Sequence, residues 1–362
     1  MPGPELVSHD DLILCTCGSQ EYRPRDVIEA ALFRGELNAK WNEFLRRVEA
    51  QRRADELDME LDELAIATAA EAFRYEHELI TAEETEAWLA TRGLTIDDFT
   101  EYFMRRYSAD ALNENIVPEQ IEYISATSEL RELFLAELIL CGELDRMTTA
   151  LLFRLAAHCA EKDSNSDAIT VEEQIFFDRN KIKPVQLPNW LKQLGRDSKW
   201  FDEMVAMEAA FRRRRDALLV PQARQRELSA LRLSLTRFET EVIELESHDA
   251  AQEALFCVRE DGMSMEEVAI EGRYPYRRID FLFEDIPSDI QQRFLSVAPG
   301  DVLEPAARGD GFELCRIIKK IEPQADDPTV RLRIEQRLLD RHFSELASKY
   351  TQRRLGAFTS AE

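Results

Sequence analysis

One stretch of this chain, from Thr236 to Glu322, reads as strands as well as helices, while the residues on either side carry helical periodicity. Such a chain must set a small antiparallel sheet into an otherwise helical protein, so the expected class is α+β, predominantly α. Thr236 to Glu246 is rich in Thr, Phe, Val and Ile, with neither Gly nor Pro, and predicts a strand. Ser247 offers a helix cap, and Ala250, Ala251, Ala254, Leu255 and Val258 recur at helical spacing up to Gly262. Ser264 with Glu267 forms a capping box for a second short helix. Ile279, Phe281 and Phe283 alternate with Arg278, Asp280 and Glu284, which places the apolar side chains on one face of a second strand. Pro287-Ser288 opens a helix carrying Ile290, Phe294 and Val297. Val302-Leu303 predicts a short strand, and Asp310-Gly311 predicts a hairpin turn into a last strand, Phe312 to Ile318.

The N-terminal two-thirds is helical. Val27 to Leu37 and Asn38 to Ala50 predict two helices, the second with Trp41, Leu45 and Val48 on one face. Leu57, Leu61, Leu64, Ala65, Thr68 and Ala72 then form an apolar stripe at helical spacing that ends near Glu78-Leu79. Thr81 with Glu84 and Thr95 with Asp98 cap the next two helices, which carry Trp88 and Leu89, then Phe99, Tyr102 and Phe103. The same phrases return later. Ile80-Thr81-Ala82-Glu83-Glu84 is echoed by Ile169-Thr170-Val171-Glu172-Glu173, and Trp88-Leu89, Gly93 and Phe99 by Trp190-Leu191, Gly195 and Phe201. This predicts a tandem pair of related helical units. Asp327-Pro328 opens a closing helix with Val330, Ile334, Leu338, Phe343 and Leu346 on its inner side.

The order strand, helices, strand, helix, strand, strand, with Gly300-Asp301-Val302-Leu303-Glu304-Pro305 and Gly311-Phe312-Glu313-Leu314-Cys315-Arg316-Ile317, resembles the parvulin peptidyl-prolyl isomerases, in particular the domain of the SurA and PrsA type of chaperone. Ile80-Thr81, Glu83-Glu84 and Gly93-Leu94-Thr95 to Phe99 resemble the helical N-domain of the same chaperones. The resemblance implies four segments. Residues 1–115 would be an N-terminal helical unit and residues 116–232 a related second unit. Residues 233–323 would be a parvulin-like domain, and residues 324–362 a C-terminal helix packing back on the helical domain. The histidines of active parvulins fall at Glu241 on the first strand and Glu313 on the last, and the Met-x-x-x-Phe pair that lines the proline pocket falls near Asp285 and Asp289. Acidic side chains oppose the apolar pocket that would desolvate a prolyl imide, so the resemblance implies a parvulin fold without a working catalytic site.

A net charge of −25 and a pI near 4.7 argue against broad nucleic-acid contact and favour a cationic peptide or partner. Residues 1–20 lack a basic region followed by an apolar core, and no run approaches a membrane span, so the expected location is cytoplasmic, without membrane insertion. The five histidines form no metal-binding phrase, Cys15-Thr16-Cys17 has no second C-x-C, and no nucleotide-binding or serine-hydrolase motif occurs; no cofactor and no metal are expected. The run Arg212 to Arg215 reads either as an anchor for an acidic partner or phosphate or as a solvated helix face. Candidate peptide-binding residues are Trp88, Phe99, Phe103, Trp190, Trp200, Phe201, Tyr274, Tyr276, Phe281 and Phe294, with at least half of the helical aromatics expected in the core.

The expected function is a non-catalytic chaperone or escort of peptide or unfolded protein segments. One alternative is an atypical, active peptidyl-prolyl isomerase. Another is an accessory subunit dedicated to one protein partner, such as a peptide-modifying enzyme or an export system.

Overall fold

The computed structural model describes residues 8–112, 116–118, 120–161 and 166–354. Residues 1–7 of the N-terminal stretch, and residue 115 at an expected segment boundary, lie outside the described residues. The chain divides into two compact units, Met1–Asp216 with Arg341–Glu362, and Ala217–Asp340.

The first unit opens with two short strands, β1 (Cys15–Cys17) and β2 (Gln20–Tyr22), followed by α1 (Pro24–Phe33), α2 (Leu37–Glu56), α3 (Glu63–Glu76), α4 (Ala82–Ala90) and α5 (Ile96–Leu112). It continues with α6 (Ser128–Leu140), α7 (Glu143–Cys159), α8 (Ser166–Asn180), α9 (Leu187–Leu194) and most of α10 (Ser198–Leu218). The second unit holds α11 (Pro221–Ala230), β3 (Arg237–Leu245), α12 (His248–Arg259), α13 (Met265–Gly272), β4 (Tyr276–Leu282), α14 (Ser288–Ser296), β5 (Ala306–Arg308) and β6 (Gly311–Ile321). The unit boundary falls again inside α15 (Pro328–Tyr350), which leads into β7 (Thr351–Arg353). The class is α+β, predominantly α, with antiparallel sheets.

Local signals set the helix starts. Thr81 and Ser264 each close a full capping box, and Ser247 and Thr127 accept from the backbone N–H three residues on. The repeated Trp-Leu phrases end α4 and α9 alike, each followed by a left-handed glycine, Gly93 (φ 73°) and Gly195 (φ 68°), before the next helix. The Ile-Thr echo diverges. Thr81 caps α4, whereas Thr170 lies inside α8 and bonds back to the Ser166 carbonyl.

One apolar core of the first unit takes in Leu89 of α4 and Phe99 of α5 together with Leu191 of α9 and Phe201 of α10. Phe33 stacks on Phe176 with ring centroids 4.6 Å apart, and Phe176 meets Phe201 at 5.1 Å and Trp190 at 5.3 Å. Phe343 of α15 is fully buried against Phe211 and Phe153. The sequence pattern missed a second sheet, β2-β1-β7, in which Cys15 pairs with both Tyr22 and Arg353. Three-residue strands are too short to show alternation, and β7 lies near the far end of the chain.

The second unit is built on the sheet β4-β3-β6-β5, antiparallel throughout. Ile243, Leu245 and Leu314 bury one face against α12 and α13, while Phe238 and Ile317 bury the other with Phe294 of α14. Val302-Leu303 contributes a single bridge, Val302 to Arg316, rather than a strand. The hairpin turn is Gly309-Asp310, one residue earlier than expected. Gly311 is already paired with Arg308, and a Cβ there would come within 2.7 Å of the Leu245 carbonyl oxygen.

Candidate functional site

The most exposed apolar element of the first unit is α3. Asp62 caps it by accepting from the N–H groups of Leu64 and Ala65 (3.0 and 3.1 Å). Phe73 is its one buried residue. It meets Phe99 at 5.3 Å, Trp88 at 5.6 Å and Phe103 at 6.0 Å, which fixes the C-terminal half of α3 to α4 and α5. The part of the stripe that lies on α3, opposite Phe73, therefore faces outward. Leu64 (77% exposed), Ala65, Thr68 and Ala72 of α3 are exposed, whereas Leu57, also exposed (69%), caps the C-terminus of α2 and Leu61 lies just before α3, so the expected stripe is broken between two helices. Helical spacing gathers residues on one face but does not say which face meets the protein; here Phe73 decides.

Between α3 and α5 lies a groove of about 1160 Å³. Ile66, Ala70, Phe99, Phe103 and Met104 line its apolar part, with Leu61 and Leu64 beside them, and the small side chains of Ala67 and Ala70 leave the space open. Glu60, Asp62 and Glu63 line one end, and neither lysine nor arginine is among the lining residues. This arrangement can accept apolar side chains along its length and a cation at one end.

The structure separates the ten aromatic candidates. Phe99 and Phe103, each 6% exposed, show an edge to the groove and belong mainly to the core. Trp88 and Trp200 are half-buried against that core, and Trp190 (9% exposed) and Phe201 (4%) lie within it. In the second unit Tyr274 and Tyr276 pack beside α12 and α13, while Phe281 and Phe294 close on Phe238 at 6.2 and 5.7 Å. They are not gathered into one surface.

The two carboxylates placed at the histidine positions by resemblance do not meet. Strand pairing opposes Glu241 to Arg278 and Arg316, and Glu313 to Glu244. Glu241 and Glu244 are three residues apart on β3, so Glu241 and Glu313 project from opposite faces of the sheet. Glu241 accepts from the Tyr276 hydroxyl (2.8 Å) and from Arg278 (3.0 Å); Glu313 accepts from Arg277 (2.7 Å) and Arg308 (2.8 Å) beside a polar groove of about 600 Å³. Asp285 and Asp289 are exposed, and Asp285 pairs with Arg333, so neither intrudes on the apolar face. At the middle of that face sit Thr240 and Cys315, which the sequence reading passed over. Thr240 is fully buried and donates to the Ile279 carbonyl (2.9 Å). Burial pushes the Cys315 thiol up to about 12. Only the register of β3 against β6, offset between Glu239 and Thr240, reveals this pair.

The remaining sequence motifs have specific settings. The Cys17 and Cys159 sulfurs lie 3.0 Å apart, so the thiol near Cys17 is contributed by α7 and not by the C-x-C phrase alone. Among the described residues no group of three or more His, Cys, Asp or Glu side chains is placed to hold a metal ion, and no helix is long and apolar enough to cross a membrane. Within the arginine run, Arg212 pairs with Glu172 (2.6 Å), Arg213 with Glu161 and Arg215 with Asp216 (2.8 Å), and Arg214 donates to the Ala160 carbonyl (3.0 Å).

No family model matches the chain, and no curated protein matches it. Solved structures similar to it include the peptidylprolyl isomerase PrsA of Bacillus anthracis, at 14% identity over 56% of this chain and 94% of that one, with a TM-score of 0.31. PrsA of Bacillus cereus is similar at 13% identity over 65% and 90%, with a TM-score of 0.34. The SurA-like chaperones PEB4 and Cj1289 of Campylobacter jejuni are represented at 7% identity over 62% and 89%, with a TM-score of 0.19. Cj1289 is described as periplasmic, and the cytoplasmic location expected from the sequence is withdrawn on that finding. The structures this chain is similar to are thus PrsA and SurA-like parvulin chaperones.

Proposed function

We propose that this protein is a non-catalytic chaperone or escort that holds unfolded segments, rich in apolar side chains and carrying a basic residue, in the groove between α3 and α5. The observation that carries the reading is the outward apolar stripe of α3 beside a groove of about 1160 Å³ with acids at one end. An apolar face of this kind on a folded unit marks an interaction site. Glu60, Asp62 and Glu63, within a chain of net charge −25, favour a cationic residue at that end. The non-catalytic part is supported by the second unit. The Thr240 hydroxyl is already engaged with a carbonyl, Cys315 stays protonated, and Phe238, Phe281 and Phe294 fill the apolar face with one another.

A photo-crosslinking residue at Ala67, an exposed groove position, tests the site. Incubated with a reduced, carboxymethylated protein, it should crosslink to the unfolded chain, and added salt should weaken capture. Binding without crosslinks at residue 67 would overturn the groove. Failure to bind any unfolded chain, with a single protein copurifying from native extract, would replace the chaperone reading with that of a dedicated subunit. Measurable cis to trans isomerisation of a proline peptide would overturn the non-catalytic part.

A further inference from the structure

A cavity of about 180 Å³ in the first unit, remote in sequence from the groove of α3 and α5, is lined by five arginines, Arg34, Arg154, Arg179, Arg212 and Arg215. Two carboxylates, Glu36 and Glu208, line it with them, and Phe211 forms part of its wall. Glu172 and Asp216 stand behind Arg212 and Arg215. Even with these counted, the arginines outnumber the carboxylates by one, in a chain whose overall charge is strongly negative.

The innermost arginines carry the argument. Arg34, just past the end of α1, has a side chain 1% exposed. It donates to Glu36 from Nε (2.9 Å) with Nη2 in ion-pair range of the same carboxylate, and neither Nη1 nor Nη2 has a hydrogen-bond partner among the described residues. Arg154 bonds Glu208 (2.6 Å) and the Ala150 carbonyl (2.9 Å), with its guanidinium 4.3 Å from the Phe211 ring centroid. Arg34 and Arg154 repel each other there, and burial together with Arg34 draws the Arg154 pKa down, against the pull of Glu208. The stem of Arg179 crosses Gly35, where a Cβ would come within 2.9 Å of it; glycine at φ 69° both makes the turn and leaves room for that arginine. Buried guanidinium groups that repel one another and leave an N–H unbonded call for an acceptor with several oxygens, and the forked donors suit a phosphoryl group.

We propose that this cavity binds a phosphoryl oxyanion, held by Arg34 and Arg154 at its base and by Arg179, Arg212 and Arg215 at its mouth. The site is independent of the peptide groove and would stand or fall separately.

The test uses inorganic phosphate and pyrophosphate as probes, against acetate and chloride at matched ionic strength. Calorimetry and thermal unfolding are run on the full chain, on Arg34→Met and on Arg179→Gln. The wild type should bind a phosphoryl probe and melt at a higher temperature with it. Each variant should lose about tenfold or more in affinity, as expected when a charge-assisted hydrogen bond is removed. Without the probe, Arg34→Met should melt no lower than wild type, since it relieves a buried like-charge contact. Phosphate also strengthens apolar burial in proteins generally. An equal rise in all three proteins, or the absence of phosphoryl binding over chloride, would overturn the site. If Arg34→Met does not fold, Arg179→Gln decides, because its side chain is exposed.

Discussion

Replacing Leu64 with alanine should weaken client binding while leaving the fold nearly untouched. Leu64 is 77% exposed in the free protein, so deleting three carbons there removes little burial, and the stability change should stay within about 0.5 kcal/mol. A bound segment lying along α3 would cover that side chain. At about 0.8 kcal/mol per buried carbon, scaled by the exposed fraction, the lost contact comes to about 1.5–2 kcal/mol. That is a rise in Kd of about tenfold to thirtyfold. Fluorescence anisotropy of a labelled, lysine-bearing apolar peptide measures it, with urea unfolding of the same samples in parallel. Leu57→Ala is the control, because Leu57 is 69% exposed but is not among the groove-lining residues, and its Kd should not change. A Leu64→Ala protein that unfolds normally and binds within about twofold of wild type would refute the groove, since RT ln 2 is far below the expected loss.

Glu137 is 3% exposed and joins Arg47 (2.5 Å) to Arg105 (3.5 Å), itself 1% exposed. Glu137→Gln leaves Arg105 buried with only the half-exposed Glu101 (3.4 Å) as a charged partner and should cost about 3–5 kcal/mol in urea unfolding, with a loss under about 1 kcal/mol arguing against the network. His77 packs on Phe73 (4.2 Å) and Trp88 (5.4 Å), and burial lowers its pKa from 6.5. The unfolded chain then binds the proton more readily, so this contribution is whole above pH 6.5 and is lost as pH falls through the lower folded value. Burial shifts His342 in the same direction, so the check is the difference between wild type and His77→Phe. The variant should show a shallower fall in melting temperature below pH 6.5, and identical slopes would contradict the assignment.

Much of the second unit could be read from residues close together in sequence. The Ser264–Glu267 capping box, the Ser247 cap, the alternation through Ile279 and Phe281, and the inward side of Phe294 all follow from local periodicity and capping. The Gly93 and Gly195 helix ends were equally legible, because a left-handed glycine after a Trp-Leu helix is a local signal. The site was less so. Phe99 and Phe103 reach the groove, yet Trp190, Phe201 and Phe294 were drawn into cores by the same aromatic character that made them candidates. In the groove, much of the work falls to Ala67, Ala70 and Leu64, whose signal is small size and exposure rather than chemistry.

What the sequence alone determined is which residues share a face, since the periods of helix and strand are properties of the backbone. Only the tertiary structure decided where each face points. The α3 stripe turns outward because Phe73 anchors the other side. Glu241 and Glu313 part company because the pairing of β3 with β6 sets their parity. Residues 34, 154, 179, 212 and 215 surround one cavity because α7, α8, α10 and the turn after α1 converge there. Each of these outcomes depends on contacts between segments far apart in the chain, and a local period carries no record of them.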